Sequence, residues 1–209
     1  MGVEDCIWLI LKGLLATVVI SALSLLIGTM VGCGLCALSL NRRHWLQNVS
    51  KWWKVVVRGT PVMVLILIVF YLLFGGHCPI LAASIAIGLI FANFVAGNLQ
   101  SSIEAVGRGQ MEAGKMLGFS KWQIMRYIVL PQALRIGMPT YKFQAVATVK
   151  GTSVVGYVAI QDLTLATQAI RSGTGQDLLP LLFATLIYFL LAWLLNKLLD
   201  YFLLRISKI

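Results

Sequence analysis

The chain has 209 residues, 59% of them hydrophobic and only 11% charged, where soluble domains carry about 25% charged residues. That excludes an ordinary water-soluble domain and fits an integral membrane protein with room for about five or six spans of roughly 20 residues and no sizeable soluble domain. The net charge of +10 does not indicate nucleic acid, because the bases fall in turns and no helix joins them to base-reading side chains.

In chain order, the start carries Glu4 and Asp5 and lacks the basic region and cleavage site of a signal peptide. It is expected to be retained and to face outward. Residues 10–40 read as a first span, tilted or entering the interface, in which Gly28 and Gly32, with Gly34 close by, allow a neighbouring helix to approach. Arg42, Arg43, Lys51 and Lys54 mark a cytoplasmic turn by the positive-inside rule, and Trp45, Trp52 and Trp53 read as interfacial anchors. A second span over 51–74 is interrupted by Arg58, Gly59, Thr60 and Pro61. Such a break is tolerated where backbone faces protein or a wet cavity, which makes Arg58 and Thr60 candidates for a pathway lining. The alternative is that Arg58 snorkels to the interface.

Residues 75–79 form a short turn, where His77 and Cys78 supply only two donors and make a weak metal site. A third span over 80–100 is rich in small residues suited to tight helix contacts. Cys33 and Cys36 have CxxC spacing inside an apolar run, without a flanking His or second pair, and read with Cys6 as packing residues rather than redox or zinc chemistry. The stretch 108–131 is polar and basic, with Arg108, Lys115, Lys121 and Arg126. It reads as a short helix over 110–117, a left-handed corner at Gly118, and a second helix opened by the capping pair Ser120 and Gln123. So short a helix needs something to pack on.

A fourth span over 131–155 carries Arg135, Tyr141, Lys142, Gln144, Thr148, Lys150, Thr152 and Ser153, far too polar to face lipid, and is expected to line a translocation path. Residues 162–175 read as a polar outer connection. The last span, 178–197, ends at Lys197, which stands at surface-pair spacing from Asp200, and is followed by a basic tail with Arg205 and Lys208. The sum is an all-α membrane protein of five spans, amino end out and carboxyl end in. The odd count argues against the doubled architecture of many secondary carriers.

Glu112, Ala113, Gly118, Ile128, Leu130 and Pro131, with Gly114 in place of a second alanine, resemble the EAA loop of type I ABC-importer permeases. Gln110, Leu117, Gln132 and Ala133 around it are similar to the branch that imports polar amino acids such as histidine, glutamine, arginine and glutamate. Arg58 to Pro61 resembles that branch's Arg-Gly-Thr-Pro signature. Lys150, Gly151, Thr152 and Ser153, followed by Gln161, Asp162 and Leu163, resemble its Lys-Asp-Thr-Ser and Glu-Leu stretch. The resemblance implies a five-helix permease core of the bacterial cytoplasmic membrane. It assigns Gln110, Glu112, Ala113, Gly114, Leu117, Gly118 and Pro131 to coupling with a separate ATPase dimer that carries ATP and Mg. It assigns Arg58, Thr60, Lys150, Thr152, Ser153 and Asp162 to the substrate path. It further implies a second permease subunit, like or unlike, an extracytoplasmic solute-binding protein and an amino-acid substrate, with no cofactor in this chain.

The departures are as informative. Where family members carry a glutamine, a glutamate, an arginine and an aspartate, this chain has Leu65, Gly97, Gln100 and Gly151. An intact coupling loop beside a thinned polar lining is what the weakly substrate-binding half of a heterodimer would show; a less charged substrate is the alternative. No Walker loop, HExxH or nucleophile–base pair is present, so no enzymatic activity is expected of this chain. Two other classes compete: an ion-coupled carrier, which leaves the coupling loop unexplained, and a non-transporting scaffold, which does not need Arg58 or Lys150.

Overall fold

The computed structural model describes residues 2–41, 43–158 and 160–207, with the side chains of Tyr157 and 204–207 outside the description. The expectations placed on Arg42, Lys208 and the Arg205 side chain therefore lie outside the described residues. Within them the chain is helical throughout: α1 Val3–Ser39, α2 His44–Gly59, α3 Val62–Ile68 running on as a wide turn Val69–Leu73, and α4 Pro79–Ala105. There follow α5 Arg108–Met116, α6 Lys121–Gln123 with its wide continuation Ile124–Val129, α7 Leu130–Gly151 with a 3-10 tail Thr152–Val158, α8 Leu163–Thr174 and α9 Leu178–Ser207.

The pair α1 and α4 forms the spine. Gly28 and Gly32 let the backbones touch: a methyl on Gly28 would lie 2.6 Å from the Gly88 carbonyl oxygen, and one on Gly32 would lie 2.6 Å from Val95 Cβ. The glycine spacing thus serves packing inside one chain. Between apolar helices in lipid, association rests on such close packing and on buried polar bonds. Ser24 Oγ donates to the Ser84 carbonyl at 3.1 Å, the Thr29 and Tyr141 hydroxyls meet at 2.8 Å, and Asn98 Nδ2 donates to the Gly137 carbonyl at 2.9 Å. These join α1 to α4, α1 to α7 and α4 to α7. The apolar core follows the same seams, with Ile20, Ile66, Ala82, Ala86 and Val155 in one cluster and Cys36, Ala92, Ala96, Ile124 and Val129 in another.

Three helices, α1, α4 and α9, are long and apolar enough to cross a membrane among the described residues, or four if the bent segment His44–Leu73 counts as one. The interrupted span expected over 51–74 holds most of α2 and the α3 unit, bent from each other by 110°. The break itself has a local cause: Pro61 cannot donate a helical hydrogen bond and forces extended backbone on Thr60, which sits at φ −95°, ψ 123°. α2 is anchored to α1 where Ser50 Oγ donates to the Leu35 carbonyl at 3.1 Å. α7 has the length of a span at 22 residues, but its cations keep it out of the apolar set.

The connection expected over 162–175 is a helix. Leu163, Ala166, Thr167 and Ile170 are buried along one face of α8, and α8 meets α1 so closely that a methyl on Gly13 would lie 2.7 Å from the Asp162 carbonyl oxygen. The Lys197 and Asp200 pairing is also replaced: Asp200 of α9 accepts from Lys142 of α7.

Candidate functional site: an elbow and a polar lining

The elbow between α5 and α6 is built from local rules. Gly118 stands at φ 79°, the left-handed conformation that glycine adopts without steric cost. The Phe119 N–H donates back to the Gly114 carbonyl at 3.0 Å, closing α5. Ser120 Oγ accepts from the Gln123 N–H at 3.3 Å while Gln123 Oε1 accepts from the Ser120 N–H at 2.8 Å, starting α6.

Gly114 is the buried residue of α5. A methyl there would sit 2.8 Å from Ile124 Cγ1 and 3.1 Å from Ile128 Cδ1, so α5 presses its backbone onto the α6 unit, with Met111 packed alongside. The other face of α5 has no cover: Gln110, Glu112 and Ala113 are exposed, and Met116 and Leu117 are 89% and 74% exposed. The α6 unit runs without a break into α7 at Leu130, with Pro131 in the first turn of α7, where a missing N–H is tolerated. One continuous rod therefore joins the elbow to the polar residues of α7.

The expected path residues do not form one cluster. Lys150 is exposed and lines a groove of about 470 Å³ with Pro139, Lys142, Phe143 and Asn196. Ser153 and Asp162 line a cavity of about 410 Å³ with Val154, Thr164, Leu165 and Gln168. Thr152 is fully buried, and its hydroxyl donates to the Val149 carbonyl at 2.8 Å. Arg58 and Thr60 lie apart from these on α2, where the Thr60 hydroxyl donates to the Val56 carbonyl at 2.8 Å and the Arg58 guanidinium rests over Gly97 of α4.

Asp162 is fully buried and caps α8, its Oδ1 accepting from the Leu165 N–H at 2.9 Å and its Oδ2 from the Tyr188 hydroxyl at 3.4 Å. Burial pushes this carboxyl above the ordinary aspartate value, although the hydrogen bonds from Leu165, Thr164 and Tyr188 favour the charged form. A seam absent from the expected residues lies between α2 and α4. There Lys54 Nζ donates to Gln100 Oε1 at 2.8 Å and Gln100 Nε2 donates to Glu104 Oε1 at 3.1 Å. The visible signal was the run of polar or small positions 93, 97, 100 and 104 along one face of an otherwise apolar helix.

An all-helical membrane bundle with an exposed, glycine-cornered elbow feeding a polar helix is the architecture of a transport-system membrane subunit. The chain belongs to the family described as the binding-protein-dependent transport system inner membrane component, which it matches over residues 24–208. It is 26% identical over 194 residues to a putative glutamine transport system permease protein of Rickettsia conorii, covering 91% of this chain and 89% of the relative. It is 31% identical over 160 residues to a probable amino-acid ABC transporter permease protein of Bacillus subtilis, covering 74% and 70%. The crystal structure of an amino acid ABC transporter with histidines superposes with a TM-score of 0.83 at 28% identity, covering 94% of each chain.

Proposed function

We propose that this chain is the transmembrane permease subunit of an ATP-binding-cassette importer for polar amino acids. It moves substrate by alternating access and performs no catalysis itself. The relatives' names support the amino-acid class, and the observation that carries the mechanism is the elbow. α5 exposes Gln110, Glu112, Ala113 and Leu117 while its buried face grips the rod that becomes α7. A partner seated on the exposed face would therefore move α7 when it moves α5, and a two-state element biased by a partner is what coupling requires.

In this reading the partner is a dimer of separate ATPase chains holding ATP and Mg. A second permease subunit completes the path, a solute-binding protein delivers the amino acid on the opposite side, and the bundle spans the membrane with the elbow and the carboxyl end in the cytoplasm. Five crossings result if the bent α2–α3 segment and α7 each count as one. The test is to purify the chain in mild detergent, identify what travels with it, and measure amino-acid uptake in vesicles with and without ATP. Copurifying ATPase and ATP-dependent uptake are expected. Uptake that runs on an ion gradient without ATP, or an elbow found on the outer face, would overturn the reading.

A further inference from the structure

α2 leaves the α3 unit at 110°, so the two cannot both follow the membrane normal. Three rows of side chains run side by side along α2, each at the spacing of one helix face. Leu46, Ser50, Trp53 and Val57 turn to the bundle, where Ser50 and Val57 are buried and Trp53 packs against the cluster of Leu35 and Cys36. The next row, Trp45, Val49, Trp52 and Val56, is apolar, yet 50% to 70% exposed. The third, His44, Asn48 and Lys51, is polar and exposed and continues the exposed Arg43 at the helix cap; α2 carries no acidic residue. The side chains of Arg43 and Lys51 make no hydrogen bond or ion pair among the described residues. The polar side of α2 faces the end of α4 that leads to the elbow. Asn93 Nδ2 donates to the Lys54 carbonyl at 3.5 Å, while Lys54 Nζ reaches along α4 to Gln100 Oε1 at 2.8 Å. Gln100 lies roughly 8 Å of helical rise before the end of α4 at Ala105.

We propose that the exposed side of α2 is a docking surface for anionic phospholipids of the cytoplasmic leaflet. Trp45, Val49, Trp52 and Val56 enter the acyl chains, and Arg43 and Lys51 hold the headgroup phosphates. This rests on the reading that places the elbow in the cytoplasm. A helix lying in the interface buries its apolar face about 5–10 Å into the headgroup and acyl boundary, which matches the height of α2 on α4, and tryptophan rings favour that depth. Charge selects the occupant. Cations on a helix without an acid are attracted to a negative leaflet, whereas a second copy docking by the same face would bring like charges together.

The test uses the complete complex and two readouts. First, phosphatidylglycerol retained on the complex against a phosphatidylcholine background is measured by native mass spectrometry. Retention should fall about fivefold for each charge removed in Arg43→Gln and Lys51→Gln, at an unchanged melting temperature, and should stay at the wild-type level in the charge-keeping pair Arg43→Lys with Lys51→Arg. Second, the complex is placed in vesicles of phosphatidylcholine brominated on the acyl chain. Quenching of tryptophan fluorescence should drop when Trp45 and Trp52 both become Phe, and should hold for Trp53→Phe, whose ring faces the bundle. Equal phosphatidylglycerol retention in the charge-neutral variants would overturn the proposal. So would quenching indifferent to Trp45 and Trp52, which would put the apolar row against another copy of the chain or another protein. Neither readout uses transport: ATP-driven uptake with both readouts negative strikes the lipid surface alone, and absent uptake with both positive strikes the permease reading alone.

Discussion

Gly114 of α5 faces Ile124 with no space for a single added carbon, a methyl at that position lying 2.8 Å from Ile124 Cγ1. The contact is the grip by which the short helix holds the rod leading to α7. Gly114→Val should lever α5 away, costing about 1–3 kcal/mol of stability through overpacking and reducing ATP-driven uptake more than it reduces folding. Adding Ile124→Ala should restore part of both, because the two residues share one contact. Melting temperature and uptake of the single and double variants check this, and fully additive losses would contradict it.

Gly118 holds the corner at φ 79°. A β-branched side chain there is expected to cost roughly 1–2 kcal/mol in backbone strain alone, and to turn α5 out of register with α6. No neighbouring group lies within 4 Å of a methyl placed there, so the penalty is conformational rather than a clash. Gly118→Val should therefore uncouple ATP hydrolysis from uptake while the bundle stays folded. Substrate-stimulated hydrolysis and uptake both at wild-type levels would show that the corner's geometry does not matter.

Features governed by neighbours in sequence were legible before any coordinates. The capping pair Ser120 and Gln123 and the left-handed Gly118 are local, and α5 and α6 lie within a few residues of where spacing places them. Arg58 to Pro61 announced a break in the chain, but not its 110° bend, which depends on tertiary anchors such as Ser50 on the Leu35 carbonyl. α8 is hidden in the sequence although Leu163, Ala166, Thr167 and Ile170 keep helical spacing, because the polar residues among them mask the period. Asp200 had Lys197 within reach on its own helix, yet the structure pairs it with Lys142, 58 residues earlier. A local rule cannot foresee such a partner.

Asp162 serves as a buried cap, and its two neutralising substitutions should differ. Asparagine caps helices about as well as aspartate, whereas alanine loses roughly 1 kcal/mol and up to about 2. Asp162→Ala should therefore lower the melting temperature clearly, and Asp162→Asn should not. Since burial raises the carboxyl's folded-state pKa, the folded protein holds that proton more tightly than the unfolded chain. The associated stability is complete below the unfolded value and is lost as pH rises through the folded one. Asp162→Asn should flatten that part of the stability profile in detergent. An unchanged slope would mean that the cap does not titrate.

Lys142 and Asp200 tie α7 to α9, the lysine side chain 19% exposed and the aspartate 47% exposed. Half-exposed pairs are screened by solvent and worth about 1 kcal/mol or less, so the pair is a poor source of stability and a better candidate for holding α7 in one position. Lys142→Met and Asp200→Asn should each shift the melting temperature only slightly, with a small coupling in the double variant. Because α7 is continuous with the elbow, releasing it from α9 should change the ATP-dependent uptake rate by more than the stability change predicts. Uptake and melting temperature moving in strict proportion across the three variants would instead make the pair an ordinary surface contact.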